Sequence, residues 1–332
     1  MMDTVVAIIQ GSVDMTITDR IDNITTIDPA HFGANIPAPH SVKIELTGRC
    51  NFACSFCARS MRLREQKDMD YELYCRLAKE MRQVGVQELG MFYLGESFLY
   101  PKLVDAIKYA KSECGYPYVF LTTNGSISYK DRVKACMLAG LDSLKFSFNY
   151  ADEDQFESIA RVKKSLYRKI FNNIRDAFSA RNEVLKETGH KCGLYAGYIA
   201  YDDDQQYKMQ IALREIEPYV DEIYALPLYS QATFVSELQK NVGYIPVAGN
   251  LGRLGNLRVP VPCWSCFTEG HISFDGYLSA CCFDHDGRFR MGDLKTTSFM
   301  EAWNSQKFTK LRQAHLDKNL SGTVCEKCVA WS

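Results

Sequence analysis

The order of apolar and polar residues becomes regular only after a proline-containing segment at residues 36–39. Residues 42–46 alternate between apolar and polar side chains, which predicts a β-strand. From Asp70 onward, apolar residues recur every three or four positions, which predicts a helix with one buried face. That face is formed by Leu73, Leu77, Met81 and Val84. The regular part of the chain therefore begins with a strand followed by a helix.

The same pattern continues toward the middle of the chain. Further strands are predicted at residues 88–94, 118–122, 144–148, 194–201 and 222–226, and helices at residues 101–111, 129–139, 152–187 and 203–217. Six strands separated by helices predict an α/β fold with a parallel sheet. Such a sheet is either open and doubly wound or a complete or partial barrel, and both place binding sites at the carboxyl ends of the strands.

Four regions follow from these patterns. We expect an N-terminal extension, an α/β domain, a linker containing Gly and Pro, and a smaller cysteine-rich domain, at residues 1–40, 41–230, 231–262 and 263–332. In the last region, Asp275-Gly276 predicts the turn of a β-hairpin, because this pair tolerates positive φ angles. Ser298 followed by Glu301 predicts the capping box of a helix.

The charge balance excludes some classes of partner. The chain has 39 basic and 40 acidic residues, so its net charge of -1 gives no reason to expect nucleic acid or an anionic membrane as partner. No apolar run approaches the ~20 residues of a membrane span, and the N-terminus lacks the basic start of a signal peptide. We therefore expect a cytoplasmic protein. In that reducing compartment its 13 cysteines indicate metal binding rather than disulfides.

Three cysteines lie close together just after the first predicted strand. Cys50, Cys54 and Cys57 supply three thiolates within eight residues. Three protein ligands leave one iron of a [4Fe-4S] cluster open to a further ligand. The alternative is a zinc site that a distant fourth ligand completes, since short cysteine spacings are also common there.

The spacing C-x3-C-x2-C, with Phe56 before its last cysteine, resembles the signature of the radical S-adenosylmethionine (SAM) superfamily. The resemblance implies a partial (β/α)6 barrel whose cluster binds SAM and cleaves it reductively to a 5′-deoxyadenosyl radical. That radical would then abstract a hydrogen atom from the substrate. A flavodoxin- or ferredoxin-type protein would supply the electron.

Shorter motifs follow in the order that the superfamily shows. Leu94-Gly95-Glu96-Ser97 partly matches the family's Gly-Gly-Glu-Pro, although the first Gly and the Pro are missing. Thr123-Asn124-Gly125 and Ser147 come after it. Alone, Asn-Gly is an ordinary turn and Ser147 an ordinary strand residue. The resemblance implies that the cofactor is bound by Phe56, Gly95, Glu96, Ser97, Asn124 and Ser147, with the Glu96 carboxylate facing the methionyl ammonium.

The last seventy residues contain six more cysteines, and two interpretations compete for them. Cys263-x2-Cys266 with Cys325-x2-Cys328 has the form of a zinc ribbon. The order of Cys263, Gly276, Cys281 and the final pair instead resembles the SPASM or twitch extension of radical SAM enzymes, which binds an auxiliary [4Fe-4S] cluster. The ligands that this resemblance implies are Cys263, Cys281, Cys325 and Cys328. Cys266 is an alternative to Cys263, and Cys282 an alternative to Cys281.

A cysteine that is not a cluster ligand can return a hydrogen atom to a substrate radical. Cys282 is the first candidate for this role, and a small buried apolar residue is the equal alternative there; Cys266 is the second candidate, and for it the buried apolar residue is the favoured interpretation. His271, His285 and His315 have no ligand spacing, and we expect none of them to be catalytic.

The resemblance implies an oxidoreductase that dehydrogenates or epimerises a sugar or aminocyclitol-like intermediate of natural-product biosynthesis. One alternative is epimerisation or crosslinking of a ribosomally made peptide. We expect the small hydroxylated substrate, because some forty residues before the first strand are too few for a leader-binding domain. A second alternative is an iron-sulfur or zinc protein with a structural or electron-transfer role.

Overall fold

The computed structural model describes residues 15–200, 203–235 and 246–330. Its centre is a sheet of nine strands in the order β6-β5-β4-β3-β2-β1-β7-β8-β9, in which β1 to β7 are parallel. The first six strands are β1 (Ser41–Ile44), β2 (Glu88–Gly90), β3 (Tyr118–Thr123), β4 (Ser143–Ser147), β5 (Gly193–Ile199) and β6 (Glu222–Leu226). Helices separate them, and the sheet is open at β6 and β9. The predicted α/β fold with a partial barrel of parallel strands is confirmed.

Seven helices belong to this part of the described chain. They are α1 (Ile17–Asn23), α2 (Tyr71–Gln83), α3 (Leu103–Lys108), α4 (Lys130–Leu138), α5 (Glu153–Ala160), α6 (Ser165–Thr188) and α7 (Asp203–Ile216). Apolar faces such as that of α2, with Leu77 and Met81 fully buried, pack against the sheet. Apolar residues recur periodically along the sequence because they form these buried faces.

Several predicted boundaries are wrong, and three of them are instructive. The strand predicted at residues 88–94 ends at Gly90, because the apolar residues after it line a cavity rather than the sheet. The helix predicted from Pro101 begins at Leu103. The helix predicted at residues 152–187 is two helices, because Arg161 adopts a left-handed conformation with φ 56° and ends α5. Periodicity does not mark the ends of the first and third of these elements, since apolar residues recur after Gly90 and at Val162.

The N-terminal extension packs against the amino ends of the strands. Arg20 of α1 donates to Glu88 at 2.6 Å, and its guanidinium lies 4.0 Å from the ring centre of Tyr118. The backbone N–H of Ile17 donates to Glu222 at 2.9 Å. Because these partners begin β2, β3 and β6, α1 covers the end of the barrel opposite the cysteine loop.

The C-terminal region continues the same sheet. Strand β7 (Glu269–Ile272) pairs in parallel with β1, and β8 (Tyr277–Ser279) and β9 (Arg290–Asp293) follow it in antiparallel order. The turn between β7 and β8 contains Gly276 at φ 81°, as the Asp-Gly pair predicts. Backbone hydrogen bonds between β7 and β1 therefore join this region to the barrel in one continuous sheet.

Three short helices complete this region: α8 (Ser265–Thr268), α9 (Phe299–Trp303) and α10 (Gln306–Leu316). Ser298 and Glu301 form the predicted capping box at the start of α9. Arg312 of α10 is fully buried, and it donates to the carbonyls of Cys266 and Trp303, both at 2.8 Å. Its guanidinium also lies 3.9 Å from the ring centre of Phe308, so one side chain joins three elements. No helix among the described residues is both long and apolar enough to span a membrane.

We expect the substitution Arg312→Ala to lower the free energy of unfolding by about 3 kcal/mol, because it leaves a cavity and buried carbonyls without donors. Lys310→Ala, on an exposed position of the same helix, should change it by less than about 0.5 kcal/mol. Anaerobic denaturant unfolding of the reconstituted variants measures both values. Equal losses in the two variants would contradict this assignment to Arg312.

Candidate functional site

The first cysteine group lies at the carboxyl edge of the sheet, in the loop after β1. The loop is anchored on the end of α5, where the N–H groups of Ala53 and Ser55 donate to the carbonyls of Ala160 and Ile159. Cys57 N–H donates to the carbonyl of Cys54 at 3.1 Å, which closes a turn between two of the cysteines. The loop is therefore shaped by backbone hydrogen bonds.

The thiols of this loop are held in their protonated form by their surroundings. Burial, and then the Glu96 carboxylate, raise the pKa of Cys50 to about 11, and burial raises the pKa of Cys54 to about 12. Cys54 Sγ is also hydrogen-bonded to the hydroxyl of Tyr150 at 3.0 Å. Because thiolates rather than thiols bind metal, loading of this loop releases protons. Within the described ranges, no three Cys, His, Asp or Glu side chains converge on one metal-ion position.

Glu96 connects the loops that follow β2 and β3. Its carboxylate accepts hydrogen bonds from the hydroxyl of Thr123 at 2.8 Å, from Asn124 N–H at 2.7 Å and from Phe98 N–H at 3.1 Å. Burial raises the pKa of Glu96, and these donors oppose that shift. The motif residues therefore meet in space, and Glu96 has a positioning role that the sequence did not reveal.

Gly95 allows the β2 loop to approach the cysteine loop closely. A Cβ at this position would lie 1.9 Å from the carbonyl oxygen of Thr47, so any larger residue would displace the backbone. Glu96 N–H donates to the carbonyl of Arg49, directly before Cys50, at 2.8 Å. The backbone of this motif therefore lies directly against the first cysteine group.

The other predicted cofactor residues lie around the same loop. Asn124 Nδ2 donates to Asn51 at 2.9 Å and lies 4.0 Å from Cys50 Sγ. The carbonyl of Phe56 accepts a hydrogen bond from Gln231 at 2.8 Å. The hydroxyl of Ser97 donates to the carbonyl of Met91 at 2.7 Å. Ser147 ends β4 at the same edge of the sheet. The roles of these residues in binding stay predictions.

The six C-terminal cysteines lie together, although they are up to sixty-five residues apart in sequence. Cys282 raises the pKa of Cys281, and Cys325 raises the pKa of Cys266, so the two members of each pair lie close together. The charges of Cys263 and Cys328 act on Cys281, which places them in the same group. Burial raises the pKa of Cys263. A group of this donor type and number fits an iron-sulfur cluster with four thiolate ligands.

A cavity of about 320 Å³ separates the two cysteine groups. Its described lining contains five Phe, Tyr and Trp side chains among the residues Lys43, Cys57, Phe92, Tyr93, Leu94, Tyr229, Gln231, Gly249, Trp264, Cys282, Phe283 and His285. Trp264 Nε1 and both ring nitrogens of His285 have no hydrogen-bond partner among the described residues. Burial, and then the nearby Arg64, lower the pKa of His285 to about 3, so the ring is neutral. The cavity therefore combines apolar walls with unused hydrogen-bonding groups.

A charged cluster lies inside the barrel beside this cavity. Lys43 Nζ donates to Glu269 at 2.8 Å, and Glu269 lies 3.5 Å from Nε2 of the buried His271. Burial lowers the pKa of Lys43, but Glu269, Cys282 and Cys281 together raise it by more, so the net shift is upward. Burial and the charge of Lys43 lower the pKa of Lys145 to about 7. Sequence reasoning missed this cluster, although a lysine within a buried parallel strand was a signal for it.

Two family models match the chain. The Radical SAM superfamily model matches residues 44–195, and the SPASM model, an iron-sulfur cluster-binding domain, matches residues 263–329. A tungsten-containing aldehyde ferredoxin oxidoreductase cofactor-modifying protein from Pyrococcus furiosus is 22% identical over 316 residues, covering 86% of each chain. The GTP 3′,8-cyclase of Chlorobaculum tepidum is 29% identical over 120 residues, and the match spans 36% of each chain, about a third of that relative's length.

Solved structures share the fold. BtrN in complex with AdoMet and 2-DOIA gives a TM-score of 0.58 at 14% identity, covering 87% of this chain and 91% of that one. Streptococcus suis SuiB bound to its precursor peptide SuiA gives 0.61 at 13% identity, covering 84% and 67%. The family models confirm SAM and [4Fe-4S] clusters as the cofactors, and with them the iron-sulfur interpretation of the C-terminal region. The chain belongs to the radical SAM superfamily and carries a C-terminal SPASM domain.

Proposed function

We propose that this radical SAM enzyme is an oxidoreductase that dehydrogenates or epimerises a small hydroxylated substrate, a sugar or aminocyclitol-like intermediate of natural-product biosynthesis. The observation that supports this proposal is that Cys57 of the first cysteine group and Cys282 of the second line the same cavity. A substrate in this cavity would lie next to both cluster sites. Its volume suits one small ring.

The clusters and SAM, when bound, supply electron transfer and abstraction of a hydrogen atom from an unactivated carbon. The chain's own residues would do the rest. Cys50, Cys54 and Cys57 would hold three irons, and the backbone at Gly95 and Glu96 would lie near the methionyl group. The aromatic walls of the cavity exclude water, which protects a reactive radical. We also propose that a flavodoxin- or ferredoxin-type protein supplies the electron.

The two candidate hydrogen donors differ in position, and this favours Cys282. Cys282 lines the cavity. Cys266 is buried away from it, where its thiol donates to the carbonyl of Ala280 at 3.8 Å. With Cys263, Cys281, Cys325 and Cys328 as cluster ligands, Cys282 would keep the S–H bond that hydrogen return requires. Oxidation needs no such donor, so the role of Cys282 also separates epimerisation from dehydrogenation.

Solved relatives support the small substrate and keep one alternative open. BtrN was solved with AdoMet and 2-DOIA, and the match covers 91% of that chain. SuiB was solved with a precursor peptide, and the match covers 67% of that chain. Modification of a peptide is therefore the second candidate function. The peptide would have to present one side chain to a cavity of about 320 Å³.

Anaerobically reconstituted protein should contain about eight irons per chain and should convert SAM to 5′-deoxyadenosine when reduced. Substitution of Cys50, Cys54 and Cys57 together by Ser should remove about half of the iron and abolish 5′-deoxyadenosine, because the second cysteine group remains intact. Iron analysis and chromatography of the products measure both effects. Fully loaded wild-type protein that forms no 5′-deoxyadenosine would instead support the structural or electron-transfer alternative.

The adjacent residues Cys281 and Cys282 form a matched pair for a second test. We expect Cys281→Ala to lose the auxiliary cluster and about half of the iron, since it removes a ligand. Cys282→Ala should retain all the iron and the electron paramagnetic resonance signals of both clusters. If the enzyme is an epimerase, Cys282→Ala should lose incorporation of solvent deuterium into the product. Loss of iron in Cys282→Ala but not in Cys281→Ala would reverse the assignment.

A further inference from the structure

His285 lies in the wall of the cavity and carries an unused hydrogen-bonding ring. Its side chain is buried, with 4% of the residue exposed, and neither ring nitrogen has a hydrogen-bond partner among the described residues. Its ring contact, 5.9 Å between centres, is with Phe234 and is edge-on. A buried polar group without a partner costs about 1–3 kcal/mol, so such groups are normally satisfied. A ligand in the cavity would satisfy this ring.

Two further side chains that line the same cavity can donate hydrogen bonds to a ligand. Trp264 Nε1 is a buried donor without an acceptor in the part of the chain that the structure describes. The Lys43 ammonium carries three N–H groups, and one of them donates to Glu269. One neutral ring and two donors therefore border the same space.

Other polar side chains of the lining are already engaged. The hydroxyl of Tyr93 donates to the carbonyl of Cys281 at 2.6 Å, and that of Tyr229 donates to the carbonyl of Gly252 at 3.1 Å. The amide of Gln231 bonds to the backbone of Phe56 and Ala58. The hydrogen-bonding capacity that remains for a ligand is thus concentrated in His285, Trp264 and Lys43.

The charge around this space disfavours a cationic ligand. Lys43 lines the cavity, and Arg64 lies close enough to His285 to disfavour its protonation. No Asp or Glu is found among the described residues of the lining. An ammonium group on the ligand would therefore find no carboxylate partner in the described lining, because the nearby Glu269 is already paired with Lys43. Hydroxyl and carboxylate oxygens, in contrast, match the two donors.

We propose that His285, Trp264 and Lys43 form a binding subsite for the oxygens of an uncharged or anionic ring substrate. The proposal rests on the proposed function and narrows it, because it selects neutral polyols and acidic sugars over aminocyclitols. The indole N–H and the ammonium donate to ligand oxygens, and one nitrogen of His285 accepts from a ligand hydroxyl. The faces of Phe92 and Phe283 cover the apolar faces of the ring.

Two probes that differ in one group test the charge preference. Scyllo-inositol and scyllo-inosamine share a ring, but the second carries an ammonium in place of one hydroxyl. Isothermal titration of the anaerobic, reconstituted protein with SAM present should show binding of scyllo-inositol and of glucuronate. Scyllo-inosamine should bind at least about tenfold more weakly, because its charge is unpaired. Equal or tighter binding of scyllo-inosamine, or binding of none of the three probes, overturns the proposal.

Variants test the residues. His285→Phe keeps a ring but removes both nitrogens, and Trp264→Phe removes the indole N–H. Each should weaken binding of scyllo-inositol about three- to tenfold, the effect of one neutral hydrogen bond. Tyr229→Phe is the matched control, because the hydroxyl that it removes already bonds to Gly252. Its affinity should stay within twofold of wild type, and all three variants should retain the cluster signals.

The outcomes separate this proposal from the proposed function. If His285→Phe and Trp264→Phe bind scyllo-inositol as tightly as Tyr229→Phe does, the subsite is wrong. In that case formation of 5′-deoxyadenosine still supports the radical enzyme. If the loaded protein never forms 5′-deoxyadenosine, the proposed function fails, whereas the binding measurement still decides the subsite.

Discussion

The parallel pairing of β7 with β1 is the constraint on which the site depends. Strand β1 leads into the loop that carries Cys50, and the β7–β8 hairpin leads into Cys281 and Cys282. Four residue pairs, from Ser41 with Glu269 to Ile44 with Ile272, fix the register between these strands. A slip of one residue would turn every side chain to the opposite face of the sheet. The distance between the two cysteine groups is therefore set by backbone hydrogen bonds rather than by a flexible linker.

The same strand pair carries the charged cluster inside the barrel. Lys43 and Glu269 form an ion pair across it, and Lys145 adds a second amine whose nitrogen lies 5.0 Å from the ring centre of Phe92. The free energy lost when two charges are removed from water is about as large as the free energy gained from their attraction. An apolar core would therefore stabilise the fold equally well. A charged interior beside the cavity is more consistent with selection of a polar substrate than with folding.

The cavity itself is assembled from both parts of the chain. The loop after β2 contributes Phe92 and Tyr93, and the C-terminal region contributes Trp264, Cys282 and His285. The Tyr93 hydroxyl bonds to the carbonyl of Cys281 and so ties the two walls together. Because the binding surface exists only when β7 is docked on β1, neither part of the chain contains a complete site.

Features that depend on neighbouring residues could be predicted from the amino-acid sequence alone. Local periodicity gave the parallel strands and their helices, the Asp-Gly pair gave the turn at Gly276, and the spacing of Cys50, Cys54 and Cys57 indicated the cluster. Three features could be read only from the folded chain: which C-terminal thiol lines the cavity, the pairing of β7 with β1, and the two ring nitrogens of His285 that have no hydrogen-bond partner among the described residues. These features arise from contacts between residues more than two hundred positions apart, or from a missing contact. Local periodicity predicts neither such a long-range contact nor a missing one. The role of a buried polar residue depends on the groups that surround it in the folded chain.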